Sequence, residues 1–315
     1  MEDFGFTYIS MDYLQETVEI IIKSKKGEEL KKKPLLIYIQ GSLAKPLIRY
    51  SDNGRFKPPY SFDARIFLDH FHIVSIKKPG LPLIANSKDL TDRGEYVNKK
   101  TRNRPQKFNH NNYLDYYVER NKKVIQFLLT NSWVDSSKIV VAGHSQGSSI
   151  ALGMADKIPE ITHLIYSAGG PYFGTIVDQI QQERKQEKNE TDSFAQEVLN
   201  YWKTVVNDPL NTDSNEGNDT HRMWHSFSTS ENEIFKRLKI PVLVCYGTKD
   251  TAAPFNDLLQ IETILNGINN IRFYAYIGRE HNYFKVKENG DLDFSEKEFG
   301  WDKVGNDWFQ WIMKN

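Results

Sequence analysis

Residues 139–152 read Ile139-Val140-Val141-Ala142-Gly143-His144-Ser145-Gln146-Gly147-Ser148-Ser149-Ile150-Ala151-Leu152. A continuous apolar, β-branched run comes first and a small-residue helix start follows. A serine between two glycines at G-x-S-x-G spacing, on a strand-to-helix turn, lifts a hydroxyl above a sheet edge. A side chain at either glycine would collide with the neighbouring strand or helix. The stretch therefore predicts a strand ending at Ala142, a sharp turn at Ser145 and a helix after it.

Outward from this turn, short apolar runs read as strands at 17–23, 34–40, 71–76, 138–142, 163–167, 241–247 and 271–277. The central ones are continuously apolar, as expected of parallel strands covered on both faces. Helical spacing at 111–131, 255–265 and 301–313 separates or follows them. Strand and helix alternate, so the expected fold is α/β, with a mostly parallel central sheet and helices on both faces.

Between two of these strands the chain is far longer than an ordinary connection. The stretch 171–236 holds 12 acidic and 6 basic residues, with Trp202, Trp224 and Phe227 among them. Large aromatics need packing partners, so residues 170–236 read as a helical cap inserted over a core of 1–169 and 237–315. The irregular stretch 88–110 carries Arg93, Lys99, Lys100, Arg102, Arg104 and Lys107. It reads first as a solvated face, with a basic rim attracting an anionic substrate as the functional alternative. Lys31-Lys32-Lys33 reads as an exposed turn. Residues 17–23 read as an edge strand, and Trp301, Trp308, Phe309 and Trp311 as one face of a helix packed on the sheet.

The 315 residues are 39% hydrophobic and 26% charged, with zero formal net charge. That balance argues against a nucleic-acid partner, whose footprint is a basic excess. No apolar run is long enough to span a bilayer, and no export signal is visible, so a cytoplasmic location is expected. The lone cysteine, Cys245, lies in an apolar run and reads as a small core residue. Neither Cys/His pairs at ligand spacing nor H-E-x-x-H occurs, so no metal site is expected.

A serine hydroxyl attacks only if a base takes its proton, and histidine is the natural base near neutral pH. Of eight histidines, His281 follows the last expected strand, on the sheet edge that carries Ser145. Asp250, after the penultimate strand, is placed to orient it. Asp257, Asp213 and Asp219 are the competing acids. An oxyanion needs preorganised N–H donors. The N–H of Gln146 is one, and that of Ser42, with Gly41 as runner-up, is the other. Lys78, Trp224 and Arg279 are candidate substrate contacts, with Lys78 and Arg279 suited to a carboxylate or phosphate.

These residues together resemble the α/β-hydrolase superfamily from about Thr17 to the C-terminus, interrupted by the cap. Gly143-His144-Ser145-Gln146-Gly147 matches the nucleophile motif. Gly247-Thr248-Lys249-Asp250 with Pro254 resembles the acid loop of the prolyl-oligopeptidase-like and dienelactone-hydrolase-like branches, and Glu280-His281-Asn282 the histidine loop. Gln40-Gly41 replaces the His-Gly common at the oxyanion strand. Lys77-Lys78-Pro79-Gly80 stands where Asp-x-x-Gly is frequent. The resemblance implies a serine hydrolase that needs no cofactor. The expected reaction is hydrolysis of a small-molecule carboxylic ester or thioester through an acyl-enzyme. Peptidase or amidase chemistry on the same triad is one alternative, and a non-catalytic binding module with this fold is the other.

Overall fold

The computed structural model describes residues 1–214, 218–295 and 300–315. Its main sheet has eight strands. In chain order they are β1 (Thr7–Tyr13), β2 (Glu16–Lys23), β3 (Lys33–Ile39), β4 (His72–Ile76), β5 (Val134–His144), β6 (His163–Ser167), β7 (Val242–Gly247) and β8 (Ile271–Tyr276). Their spatial order is β1-β2-β4-β3-β5-β6-β7-β8. The strands from β3 onward pair in parallel, and β1 and β2 join antiparallel at one edge. The carboxyl ends of β3, β5, β6, β7 and β8 therefore open on one rim, where α/β sheets bind ligands.

Both faces of the sheet are covered, which explains the unbroken apolar runs. Leu35, Ile37 and Val141 face one core, and Leu36, Tyr38, Val140 and Ala142 face the other. On the first face lie α2 (Leu114–Leu128), after a short α1 (Gln106–Asn111), and α3 (Gln146–Lys157). On the second lies α9 (Gly300–Lys314), whose Trp301, Trp308 and Trp311 are buried. Cys245 is buried among them, as its apolar run suggested.

Between β6 and β7 the chain forms α4 (Gly174–Arg184), α5 (Phe194–Asn207), α6 (His221–Ser226) and α7 (Asn232–Arg237). Specific bonds tie this segment to the body. Ser226 Oγ accepts from Leu114 N–H at 2.6 Å. Arg222 donates to the His110 carbonyl at 3.2 Å and covers the Tyr113 ring. Tyr166 OH, on β6, donates to Glu231 at 2.6 Å. Thr251 Oγ1 donates to Asp178 on α4. α8 (Ala253–Leu265) follows β7.

Three sequence expectations need correction. Residues 17–23 are not the edge strand, because β1 pairs outside them. The strand β1 escaped notice because its exposed and half-buried residues give no apolar run. Lys33 is not solvated: its stem is buried and its ammonium donates to the Leu68 carbonyl at 2.6 Å and pairs with Glu28 at 2.5 Å. Residues 88–110 are not wholly irregular, since α1 begins at Gln106.

The turn after β5 is set by close backbone contact. A Cβ on Gly147 would lie 2.3 Å from the Ile39 carbonyl oxygen, and one on Gly143 would lie 1.9 Å from the Gly147 carbonyl oxygen. Neither neighbour is a flexible side chain, so α3 must move away from β3 to admit a methyl group. Gly147→Ala is predicted to destabilise the fold by about 1–3 kcal/mol, read as a lower urea midpoint at unchanged slope. An unaltered midpoint would show that the helix is not held against the strand.

Candidate active site

Ser145 sits between β5 and α3 with φ 59° and ψ −131°. This is a sparsely populated conformation for a residue with a side chain, and such residues persist only where surroundings over-determine them. Here the Ser145 N–H donates to the Ser167 carbonyl at 2.9 Å. The Ser145 carbonyl accepts from Ser148 N–H at 2.8 Å and from Ser148 Oγ at 2.6 Å. The turn is pinned on both sides of its strained residue.

The loops after β7 and β8 are stitched to each other. Thr248 N–H donates to the Tyr276 carbonyl at 3.0 Å, Lys249 N–H to the Arg279 carbonyl at 2.9 Å, and Gly278 N–H to Thr248 Oγ1 at 2.9 Å. Within the second loop, Glu280 Oε1 accepts from the N–H groups of Asn282 at 2.8 Å and Phe284 at 2.9 Å. This frame brings His281 Nδ1 to 2.9 Å from Asp250 Oδ2. The other carboxylate oxygen, Oδ1, accepts from Ala252 N–H at 3.2 Å.

The Asp250 carboxylate is almost wholly buried, and the His281 ring is partly open to the rim. Burial pushes the Asp250 carboxyl up, but the imidazole charge, its hydrogen bond and the Ala252 N–H outweigh that, so the net direction is down. For His281, burial alone disfavours the imidazolium. The charge and hydrogen bond of Asp250, with Asp178 and Glu280 adding to them, reverse this and carry the ring up to about 9.

His144 behaves oppositely. Its ring is buried, 5.2 Å from His281 and 4.9 Å from Trp301 between centroids. Burial, then the nearby His281 charge, push it down to about 3. It stays neutral, with Nδ1 3.1 Å from Ser167 Oγ. Ser167 Oγ is in turn 2.6 Å from Tyr283 OH, which donates to the Cys245 carbonyl at 3.2 Å. One histidine of the pair is thus a packed support, and the other faces the rim with a charge partner.

Ser145 and His281 line two cavities, of about 340 Å³ and about 230 Å³. Ser42, Leu43 and Arg93 are also common to both. Gln146 and Trp224 line the larger one, and Gly41 the smaller. No hydrogen bond joins Ser145 Oγ to His281 among the described residues. Nor do the N–H groups of Ser42 and Gln146 donate to any described protein group, and both residues line the larger cavity. Asp257, the first competing acid, accepts from Tyr246 OH instead. Asp219 pairs with Arg104, and Asp213 is on the surface.

Two expected substrate contacts lie elsewhere. Lys78 lines neither of these cavities. It is buried, and its ammonium donates to the carbonyls of Gly41 and, at 2.8 Å, Leu43. Burial, then the charges of Arg104 and Lys45, push it down to about 7. It braces the loop after β3. Arg279 donates to the Tyr283 carbonyl at 2.8 Å, outside both cavities. Three cations of the smaller cavity, Lys45, Arg49 and Arg93, carried no sequence signal as a group, because Lys45 and Arg93 lie on loops and Arg49 on a strand of three residues (Ile48–Tyr50), too short to show a period. Among the described residues no cluster of His, Cys, Asp or Glu is arranged to hold a metal ion. No helix there is long and apolar enough to cross a membrane.

No protein-family model matches the chain, and no curated protein matches it in sequence. Solved structures do match in shape. A ferulic-acid-bound Est1E from Butyrivibrio proteoclasticus is similar at TM-score 0.57 and 14% identity, over 97% of this chain and 98% of that one. A carboxyl esterase from Bacillus coagulans is similar at TM-score 0.53 and 15% identity, over 98% of both chains. An acylaminoacyl peptidase from Pyrococcus horikoshii is similar at TM-score 0.57 and 10% identity, and this chain spans 41% of it. The fold is the α/β-hydrolase fold. At these identities the likeness establishes architecture, and chemistry has to be argued from the site.

The pairing of Asp250 with His281 predicts a titration. In Asp250→Asn the charge that holds the imidazolium is gone, so the His281 midpoint should fall from about 9 toward or below the ordinary histidine value. Histidine Cε1–H chemical shifts against pH would follow it directly. A midpoint unaffected by the substitution would contradict the assigned cause.

Proposed function

We propose that the protein is a serine hydrolase that cleaves a carboxylic ester or thioester through an acyl-enzyme. The observation that carries this is the strained Ser145 turn opening on the same cavity as the Asp250-paired His281. In this reading, Ser145 Oγ attacks the acyl carbon while His281 Nε2 takes its proton. Asp250 holds Nδ1–H, which fixes the tautomer and stabilises the imidazolium as it forms. The N–H groups of Ser42 and Gln146 receive the oxyanion, a role for backbone donors fixed before reaction. His281 then returns the proton to the departing alkoxide or thiolate. Water, deprotonated by the same imidazole, attacks the acyl carbon and frees Ser145.

Lys78 has a supporting part here. By holding the Gly41 carbonyl it fixes the peptide plane that carries the Ser42 N–H, which supports the donor role given to that group. The helices between β6 and β7 act as a cap, since Trp224, Met223 and Phe227 wall the larger cavity above Ser145. These three side chains offer an uncharged acyl or alcohol group an apolar surface, beside Asp178 and the paired Arg104 and Asp219 that also line the cavity.

Ser145→Ala is predicted to lose hydrolysis of p-nitrophenyl esters by about 10³-fold or more while unfolding at the wild-type temperature. A fluorophosphonate probe should label wild type at Ser145 and leave the variant unlabelled. Activity retained in Ser145→Ala would remove the proposal, and an inert wild type would favour a binding module.

The proton-acceptor role also fixes a pH dependence. Only the neutral imidazole can accept the serine proton, and His281 keeps its own proton up to about 9. For a neutral ester, kcat/KM should therefore climb with pH until that ionisation is complete and then level off. A profile already flat from pH 6 upward would contradict a base held by Asp250.

A further inference from the structure

The smaller cavity is electrostatically one-sided. Lys45, Arg49 and Arg93 line it, and among the described residues no aspartate or glutamate does. Lys45 and Arg49 converge on the backbone at Gly94: a Cβ there would meet Arg49 Nη1 at 3.0 Å and Lys45 Cε at 3.6 Å. Neither these two nor Arg93 forms an ion pair among the described residues, and Arg49 Nε is buried without a hydrogen-bond partner. Glu95, whose charge acts on Lys45, is already engaged. It accepts from Arg104 Nε at 3.2 Å and Nη2 at 2.9 Å and from Ala44 N–H at 3.3 Å.

Such an arrangement is costly unless something answers it. Like charges brought together in a partly desolvated site repel, and burial with the Arg49 charge pushes Lys45 down to about 8. Structural lysines and arginines in folded proteins usually end on a carboxylate or in open water. Here Lys45 and Arg49 are half-buried without a carboxylate partner among the described residues, and with the exposed Arg93 they line the cavity that Ser145, Tyr38 and Trp301 also line. Because both cavities meet at Ser145 and His281, an ester bound with its carbonyl over Ser145 sends one half into each.

We infer that the cavity of about 230 Å³ receives an anionic group, so that the natural substrate is an ester or thioester bearing a carboxylate or phosphate held by Lys45, Arg49 and Arg93. The inference rests on Ser145 being the nucleophile and adds the substrate class. Arginine supplies a planar fork for two anion oxygens, and lysine a point charge. The uncharged half then lies against Trp224 and Phe227 in the larger cavity. Of the residues read as anion contacts in the sequence, Lys78 and Arg279 lie outside this cavity, and Arg93, from the basic stretch 88–110, lines it.

The test compares ester pairs of which one member is anionic and the other neutral: mono-p-nitrophenyl glutarate against p-nitrophenyl pentanoate, and 2-phosphoethyl butyrate against ethyl butyrate. Wild type should favour at least one charged member by about tenfold or more in kcat/KM, and the favoured pair distinguishes carboxylate from phosphate. Lys45→Met, Arg49→Met and Arg93→Gln should each bring that ratio toward one, and Arg49→Lys should keep most of it. Arg93 is exposed, so its variant tests charge with little risk to folding. In parallel, glutarate and inorganic phosphate should raise the melting temperature of wild type and not of Arg49→Met. Hydrolysis with no preference for charge, or a preference that survives all three neutral substitutions, would overturn the inference. If no ester is cleaved, the hydrolase reading fails instead. A melting shift abolished by Arg49→Met would then still support the anion site, and no shift in wild type would refute it.

Discussion

The α3 backbone lies against the end of β3 with no room for a side chain at Gly147, and the rest of the site depends on that contact. It fixes where α3 starts and forces Ser145 into a conformation that the chain would not otherwise adopt. The same contact sets the N–H of Gln146 beside the loop that carries Ser42. Parallel strand order then does the remaining placement. Asp250 and His281 follow β7 and β8, so their loops reach the same rim without any special device.

Electrostatics divides the labour among groups of one chemical type. Two imidazoles lie 5.2 Å apart, and their surroundings drive them in opposite directions. His144 is packed against Trp301, and its burial favours the neutral ring. His281 has Asp250 and keeps one. Basic groups divide similarly. Lys78 and Arg104 are consumed by carbonyls and carboxylates within the fold. Lys45, Arg49 and Arg93 are left facing a cavity. Pairing inside the protein, rather than position in the sequence, decides which charges are available to a ligand.

The sheet was legible because buried parallel strands leave unbroken apolar runs, and β6 (His163–Ser167) was read with its bounds correct. The antiparallel β1 was not, because a half-exposed strand has no such run. The positions of Ser145, Asp250 and His281 at strand ends could be read from local motifs and strand order. The spacing between them could not, nor could the bonds from Thr248 to Tyr276 and from Lys249 to Arg279 that hold the two loops together. Lys78 was misread for a general reason. A lysine after a strand looks the same in sequence whether its ammonium turns to solvent or under a neighbouring loop. Lys45 and Arg49 were missed because one lies on a loop and the other on a strand of three residues, too short for a period to mark it.

A diffraction structure of the protein treated with an aryl boronic acid tests the central claim most directly. The account predicts a tetrahedral adduct on Ser145 Oγ, with His281 Nε2 within hydrogen-bonding distance of the adduct and one boronate oxygen accepting from the N–H groups of Ser42 and Gln146. An adduct at another residue would contradict it, as would an adduct on Ser145 with the His281 ring turned away and the oxygen directed to solvent.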